Sequence, residues 1–257
     1  MQDTDPRTLY VELIKRCLIG SIYEDPTFLR SASGVQIADY NPEARRFGHD
    51  WPVKAHTMIG ESRMNNLRDA VYHILGNQVP GDLIETGVWR GGSCIFMRAI
   101  LAAFGVTDRT VWVADSFQGL PPPDAERYPA DRGDDLHTVQ ELSISIEEVT
   151  ENFKKYNLLD DQVKFLSGWF KDTLPTAPIE RLALLRLDGD MYESTMDGLN
   201  ALYEKLSPRG VVIVDDYGLG PCRKAVHDYR EQHGVTAPLQ LIDVQSQSVF
   251  WIKPETA

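Results

Sequence analysis

The 257-residue chain is 42% hydrophobic and long enough for one large α/β domain or two smaller ones. Its formal net charge of −12 argues against a nucleic-acid or anionic membrane partner, because both require clusters of Lys and Arg. We expect no signal peptide and no membrane-spanning helix. The three cysteines, Cys17, Cys94 and Cys222, are far apart and odd in number, which indicates neither a disulfide framework nor a zinc site and favours the cytoplasm.

The N-terminal region is predicted to be largely helical. Apolar residues at helical spacing predict a helix over residues 7–22. Residues 31–52 are rich in turn formers, so we expect an irregular segment there. A second amphipathic helix is predicted over residues 61–77, with an apolar face of Met64, Leu67, Val71, Ile74 and Leu75. We therefore divide one predicted domain into an N-terminal helical cap (1–60) and a catalytic core (61–257).

From residue 82 onward, predicted strands alternate with predicted helices. The strands cover residues 82–87, 110–116, 162–168, 181–188 and 211–216, and the helices cover 92–105, 194–206 and 222–233. This alternation predicts a parallel sheet with helices on both faces. The last two apolar runs, LQLIDV and SVFWIK, predict an antiparallel hairpin with a tight Gln-Ser link. The expected fold is a Rossmann-like α/β fold with a mostly parallel seven-stranded sheet, which resembles class I S-adenosylmethionine-dependent methyltransferases.

One long segment without apolar periodicity, residues 117–143, interrupts this alternation. Loops of this length in compact domains are usually active-site lids or disordered. We interpret the 117–143 segment as an active-site lid, with a mobile surface insertion as the alternative. The sequence SIEE at 145–148 has the form of a capping box and predicts the start of a helix.

A glycine turn, IETGVWRGGS, follows the strand at 82–87 and opens a helix. Glu85, Gly87 and Gly91 fit E-x-G-x-x-x-G, which is not the G-x-G-x-x-G dinucleotide fingerprint. Glycine permits positive φ and close backbone approach to a ligand. The spacing resembles the S-adenosylmethionine loop of class I methyltransferases. Asp115 ends the next strand, where an acid can accept both ribose hydroxyls of a nucleoside, NAD included; capping of a turn is the alternative.

Two pairs of aspartates end two further strands: Asp188 and Asp190 in RLDGDMY, and Asp215 and Asp216 in VVIVDD. Residues two apart in a strand point the same way, so Asp188 and Asp190 are predicted to face one place. Ligands bind beyond the carboxyl ends of parallel strands, where four acids would repel one another unless a cation lies among them. An all-oxygen donor set favours Mg²⁺ or Ca²⁺ over zinc. The alternative is that some of these acids cap helices or face solvent.

Several longer stretches resemble the macrocin O-methyltransferase family. They are HTMIGESRMNNL (56–67), ETGVWRGGSCIF (85–96), WVADSFQGLP (112–121), residues 158–199 and VVIVDDYG (211–218). The resemblance implies an enzyme that uses Mg²⁺ and S-adenosylmethionine to methylate a hydroxyl of a deoxysugar on a glycosylated natural product, such as a macrolide or aminocoumarin antibiotic. It is weakest at 24–50 and 117–143, where such a family would set substrate choice. It also leads us to expect a homo-oligomer.

The resemblance implies roles for individual positions. Asp188, Asp215 and Asp216 would hold the metal, and Asp190 would be the general base. His56 is a second candidate base, or a structural histidine, and Trp169 either stacks on adenine or packs in the core. The implied cofactor site consists of Thr57, Met58, Glu85, Thr86, Gly87, Val88, Trp89, Arg90, Gly91, Asp115, Ser116, Gly168, Trp169 and Asp188.

Three other functions fit part of the pattern. A Mg²⁺-dependent catechol-type O-methyltransferase would share the fold, but the mixed, polar substrate-facing segments favour a sugar over a flat aromatic diol. An NAD-dependent oxidoreductase lacks its glycine fingerprint. A non-catalytic nucleoside-binding module would not need Asp190 beside Asp188. We therefore predict that a metal lowers the pKa of the sugar hydroxyl and that Asp190 accepts its proton.

Overall fold

The N-terminal part of the chain forms two helices and a small antiparallel sheet. The computed structural model describes residues 5–31 and 34–255, so residues 1–4, 32–33 and 256–257 of the predicted segments lie outside it. The elements of this part are α1 (Pro6–Leu18), β1 (Thr27–Ser31), β2 (Gly34–Ala38), α2 (Pro42–Phe47) and β3 (Trp51–Pro52). β1 lies between β2 and β3 and is antiparallel to both. The predicted first helix is confirmed, but the prediction that 31–52 is irregular was wrong.

Local start and stop signals explain α2. The Asn41 side chain accepts hydrogen bonds from the N–H groups of Glu43 and Ala44, both at 3.0 Å, and Pro42 supplies the first helical residue. Gly48 ends the helix with a φ of 67°. These signals lie close together in the sequence, and the neighbouring strands are too short to show a clear alternation.

Arg45 of α2 connects the N-terminal elements. Its side chain is buried and donates to the Asp50 carboxylate, to the Ile19 carbonyl at 2.7 Å and to the Asp25 carbonyl at 2.8 Å. A buried charge is tolerated only when it is paired and hydrogen-bonded. This network therefore fixes α2 against the end of α1 and the start of β1.

The rest of the chain forms the predicted alternating region. Its elements are α3 (Gly60–Gly76), β4 (Asp82–Thr86), α4 (Gly92–Ala103), β5 (Val111–Asp115), α5 (Ile146–Lys155), β6 (Val163–Ser167), α6 (Phe170–Thr173), β7 (Leu182–Leu187), α7 (Tyr192–Leu202), β8 (Leu206–Val214), α8 (Gly220–Gln232), β9 (Gln240–Leu241) and β10 (Val249–Ile252). The main sheet has the order β6-β5-β4-β7-β8-β10-β9. Strands β4 to β8 are parallel, and β10 is antiparallel to both β8 and β9. The predicted seven-stranded sheet is confirmed, but residues 242–248 separate β9 from β10, so the predicted tight link was wrong.

Hydrophobic layers cover both faces of this sheet. One face packs against α1, α3, α4 and α5 through residues such as Leu18, Leu67, Ile95 and Phe153. The other packs against α7 and α8 through residues such as Leu199 and Val226. β7 is buried along its whole length, as expected for a central parallel strand. The carboxyl edge of the sheet remains the place where polar groups gather.

The 117–143 segment contains only three single-turn 3₁₀ helices, at Pro129–Asp131, Leu136–Thr138 and Gln140–Leu142. Ser145 then caps α5 by accepting from the Glu148 N–H at 3.2 Å, which confirms the predicted helix start. The lid role of the segment stays a prediction. Over residues 5–31 and 34–255, no helix combines the length and apolar character needed to cross a membrane.

Candidate active site

The glycine turn after β4 packs tightly against its neighbours. Gly87 has a φ of 85°, and a Cβ placed there would lie 1.6 Å from the Asp188 carbonyl oxygen. Gly91 has a φ of 83°, and its Cβ would lie 2.7 Å from the Val149 side chain. Both positions therefore require glycine because of contacts within the protein itself.

A cavity of about 640 Å³ lies next to this turn. Ten predicted cofactor-binding residues line it: Thr57, Met58, Glu85, Gly87, Val88, Trp89, Asp115, Ser116, Trp169 and Asp188. The fold thus brings the segment before α3, the β4–α4 turn and the regions after β5 and β6 to one place. This is where parallel α/β sheets bind ligands. The cofactor contacts themselves stay predictions.

Four predicted cofactor residues, Thr86, Arg90, Gly91 and Gly168, do not line the cavity. Two of them hold lining residues through the backbone. The Thr86 carbonyl accepts from the Asp188 N–H at 2.9 Å, and the Gly168 N–H donates to the Asp115 carbonyl at 2.9 Å.

Trp89 and Arg90 form a stacked pair beside the cavity. The Arg90 guanidinium lies 4.2 Å from the Trp89 ring centroid and donates to the carbonyls of Pro52 and Ala55. The Trp89 indole N–H donates to the Glu141 carbonyl at 2.9 Å. This pair therefore connects the glycine turn both to the N-terminal part and to the 117–143 segment.

Asp115 holds the glycine turn and lines the cavity at the same time. One carboxylate oxygen accepts from the Val88 N–H and the other from the Phe117 N–H, each at 2.7 Å. Each carboxylate oxygen has two lone pairs, so acceptance of ribose hydroxyls remains chemically open. Burial raises the pKa of Asp115 despite these hydrogen bonds. Capping of the turn and nucleoside recognition are thus compatible roles for this residue.

Three aspartates form a carboxylate cluster at the ends of β7 and β8. One oxygen from each of Asp188, Asp215 and Asp216 lies within 4.8 Å of the others. Burial, and then repulsion from Asp215, raise the pKa of Asp188, and burial with the neighbouring acids raises that of Asp216 strongly. Burial and mutual repulsion therefore both act against the charged forms of Asp188 and Asp216. Convergent carboxylate oxygens fit a hard divalent cation such as Mg²⁺.

Asp190 lies beside the carboxylate cluster on the cavity wall. Its backbone has a φ of 57°, and its N–H donates to the Asp216 carboxylate at 3.0 Å. A non-glycine residue in this conformation is uncommon and marks a place where the surrounding structure imposes the backbone. Burial, followed by repulsion from Asp188, raises the pKa of Asp190 to about 7.

Two arginines that the sequence reasoning missed reach into the carboxylate cluster. Arg186 is buried and pairs with Glu85, Asp188 and Asp215. Arg186 donates to Oδ1 of Asp215, and Arg63 donates from Nη1 to Oδ2 of the same carboxylate. The signal for Arg186 was present, because it precedes Asp188 by two residues in a strand and so points the same way. Arg63 gave no such signal, since it reaches the site from α3.

His56 does not line the cavity. Its Nδ1 lies 2.8 Å from the Tyr156 hydroxyl, and the two rings pack edge to face. Burial, together with Lys155 and Arg90, lowers the pKa of His56 to about 4. This environment favours the structural interpretation of His56 over its role as a second candidate base.

Comparison with known proteins places the chain in a family. A family model described as macrocin-O-methyltransferase (TylF) matches residues 7–253, nearly the whole chain. The chain belongs to the macrocin O-methyltransferase family. The predicted family and enzyme class are confirmed, and membership supports S-adenosylmethionine as the cofactor.

Two named relatives and one solved structure are similar to this chain over almost their full length. The chain is 52% identical to demethyldecarbamoylnovobiocin O-methyltransferase of Streptomyces niveus, over 95% of this chain and 93% of the relative. It is 51% identical to mycinamicin III 3''-O-methyltransferase of Micromonospora griseorubida, over 95% of each. The solved structure of the O-methyltransferase NovP is 52% identical, with a TM-score of 0.91 over 96% of this chain and 99% of that one. The calicheamicin methyltransferase CalS11, at 18% identity and a TM-score of 0.61, shares the fold.

The cavity of this family member extends past the predicted site toward a group of charged residues. Asp124, Arg127, Lys171, Glu193 and Asp197 line that end. Glu193 is only 7% exposed, and burial raises the pKa of Asp197 to about 6 with a further contribution from Glu193. The sequence gave no pattern for these residues, because they come together from the 117–143 segment, α6 and α7.

Proposed function

We propose that this enzyme transfers the methyl group of S-adenosylmethionine to a hydroxyl of a deoxysugar on a glycosylated natural product, with Mg²⁺ held beside the acceptor. The observation that carries the proposal is the presence of Asp190, the glycine turn and the carboxylate cluster around one cavity. The relatives named for novobiocin and mycinamicin substrates support an acceptor of the glycosylated antibiotic class.

The cofactor is proposed to lie against the glycine turn. Asp115 would accept the ribose hydroxyls, and the region of Ser116 and Trp169 would border adenine. The backbone from Glu85 through Gly91 would border the methionine part, since the Glu85 carboxylate itself pairs with Arg186. Bound there, S-adenosylmethionine supplies an electrophilic methyl group.

The metal is proposed to bind at Asp188, Asp215 and Asp216. Mg²⁺ in that position would polarise a coordinated hydroxyl and lower its pKa. The three carboxylates offset the charge of the cation beside a cationic cofactor. Their convergence and the raised pKa values of Asp188 and Asp216 support this assignment.

Asp190 is proposed as the general base. A carboxylate whose pKa lies at about 7 is a stronger base than an ordinary aspartate and can accept a hydroxyl proton near neutral pH. The hydrogen bond from its backbone N–H to Asp216 holds the Asp190 backbone next to the carboxylate cluster. Positioning of the hydroxyl in line with the methyl group would supply much of the rate.

Acceptor choice is proposed to reside in residues 24–50 and 117–143. Both segments contribute to the cavity wall: Gly48 and His49 from the first, and residues from Gly119 to Leu142 from the second. Closure of the 117–143 segment would exclude water from the transfer step.

Methyl transfer to a panel of deoxysugar-bearing macrolides and aminocoumarins tests the proposal. Products are read by mass, with Mg²⁺ and again with EDTA. We expect transfer that EDTA abolishes. Transfer that survives EDTA removes the metal role, and methylation of a catechol in place of every sugar favours the catechol-type alternative.

A variant pair separates the base from general effects of charge. Asp190→Asn should bind S-adenosylhomocysteine as the wild type does and lose turnover. Asp69→Asn on the outer surface of α3, with a side chain 63% exposed, is the matched control and should keep full turnover. Full turnover by Asp190→Asn removes the base assignment.

We also propose a cytoplasmic homo-oligomer. Leu9, Leu13, Tyr23, Leu29 and Ile37 of the N-terminal part are all at least 50% exposed, which supports contact with a second copy. Light scattering measures the mass directly, and a monomer at micromolar concentration contradicts this part of the proposal.

A further inference from the structure

Arg63 connects three parts of the active site. It lies in the first turns of α3, is 12% exposed at the side chain and lines the cavity. Its Nε donates to the Ile59 carbonyl at 2.7 Å, its Nη2 to the Gly48 carbonyl at 3.2 Å, and its Nη1 to the Asp215 carboxylate. Its guanidinium therefore connects Gly48 and Ile59, which borders the predicted cofactor residues Thr57 and Met58, to the carboxylate cluster.

Asp215 has an arginine on each carboxylate oxygen. Arg186 donates to Oδ1, and Arg63 donates to Oδ2. A divalent cation bound to the Asp215 carboxylate would lie close to a guanidinium. The two positive charges would repel each other, and burial strengthens this repulsion. A cation bound to Asp215 would therefore weaken the contact of at least one of the two arginines with this carboxylate.

The two arginines differ in how firmly they are held. Arg186 lies inside β7, is 1% exposed and pairs with three carboxylates, so its removal would leave several buried charges uncompensated. Arg63 pairs with one carboxylate and borders the open cavity. Arg63 is therefore the group with room to move.

We propose that Arg63 and the divalent cation compete for Asp215, so that cation binding requires the Arg63 guanidinium to leave this carboxylate. The proposal rests on the proposed metal site. Gly48 and Ile59, the other acceptors of Arg63, both line the cavity. Movement of Arg63 thus links occupation of the metal site to the 24–50 segment proposed to choose the acceptor and to the residues beside Thr57 and Met58.

The competition is tested by measuring the affinity of the full-length enzyme for Mn²⁺. Electron paramagnetic resonance monitors the binding, and no methyl acceptor is present. Arg63→Gln should bind Mn²⁺ about tenfold more tightly than the wild type, because the cation no longer displaces a charged hydrogen bond. Arg63→Lys keeps the positive charge and should stay within about threefold of the wild type. Arg68→Gln, on the same helix but outside the cavity, is the matched control and should leave the affinity unchanged.

Urea unfolding measures a second effect of Arg63→Gln: the variant should lose stability in the absence of metal although it gains affinity for Mn²⁺. In EDTA, Arg63→Gln should unfold at a lower urea concentration than the wild type, because Asp215 loses a partner. With saturating Mn²⁺ this difference should shrink, since binding stabilises the variant more. A folding defect unrelated to the metal would instead leave the difference constant.

The outcomes separate the two proposals. Asp188→Asn serves as a variant of the proposed metal site. If the wild-type enzyme binds no Mn²⁺, or binds it no more tightly than Asp188→Asn does, the metal site and the competition are both overturned. Wild-type enzyme whose binding needs Asp188, with Arg63→Gln binding Mn²⁺ equally or more weakly, keeps the metal site and overturns the competition alone.

Discussion

Glu85 and Arg186 are register partners on the adjacent parallel strands β4 and β7, and their side chains form an ion pair at 2.5 Å. Both side chains are 1% exposed. Burial raises the pKa of Glu85 to about 7, and the charge of Arg186 opposes that rise. Because Arg186 also pairs with Asp188 and Asp215, one guanidinium connects Glu85 of the glycine turn to the carboxylate cluster.

We predict that Arg186→Met destabilises the protein by about 3–5 kcal/mol, the usual result of removing one partner from a buried ion pair. Urea unfolding measures the loss. Arg209→Met is the matched control, because Arg209 is 43% exposed and its pair with Glu255 lies on the surface, so its effect should stay below about 1 kcal/mol. Equal midpoints for the two variants would contradict a dominant role of Arg186.

The contrast between Asp188 and Arg186 shows what the sequence can reveal about this site. Acids at strand ends form a recognisable pattern, because the carboxyl edge of a parallel sheet is where ligands bind. The alternation of side chains places Arg186 on the same side of the strand as Asp188, but its partners Glu85 and Asp215 are fixed only by strand order and register. The position of Arg63 depends further on how α3 packs against the sheet, which periodicity alone does not specify.

Gly87 provides a test of close backbone packing at the cofactor turn. Gly87→Ala should destabilise the protein by several kcal/mol, because its Cβ would lie 1.6 Å from the Asp188 carbonyl oxygen. Gly105→Ala is the matched control: Gly105 has a similar positive φ of 65°, but among residues 5–31 and 34–255 no atom beyond its chain neighbours lies within 4 Å of the added Cβ. That variant should lose only about 1–2 kcal/mol from backbone strain. Denaturant unfolding of both variants decides whether the contact or the strain dominates.

The fold was predictable where apolar strands alternate regularly with amphipathic helices, and less so in the turn-rich N-terminal part. The five parallel strands and the main helices follow from apolar patterns and from the alternation of strands with helices. The small sheet of β1, β2 and β3 was missed although β1 and β2 are as long as β4, β5 and β6, because its strands lie mostly in a stretch rich in turn formers, outside the regular alternation of strands and helices. These strands are stabilised by contacts such as those of Arg45, which arise only in the folded chain.

Asp131 joins the 117–143 segment to the helix that follows Asp190. It is 1% exposed, and its carboxylate accepts from the N–H groups of Tyr192 at 2.6 Å and Glu193 at 3.0 Å. The helix itself supplies no side-chain cap. We predict that Asp131→Ala costs about 1–2 kcal/mol and increases proteolysis within the segment about tenfold. The exposed Asp135→Ala should change neither, and equal proteolysis of both variants would show that Asp131 does not hold the segment.

His56 makes stability depend on pH in the acidic range. Its pKa is about 4 in the folded protein and 6.5 in the reference state, so the unfolded chain binds more protons between these values. Stability should therefore be full above about pH 6.5 and fall as the pH drops toward 4, by on the order of 2 kcal/mol. His56→Gln keeps a neutral polar side chain beside Tyr156 and should flatten this part of the profile. Urea midpoints measured from pH 4.5 to 7.5 give both slopes, and the difference between them isolates His56 from carboxylates that titrate in the same range. Parallel profiles for the two proteins would mean that the imidazole is protonated as readily in the folded protein as in the unfolded chain, so that burial does not lower its pKa.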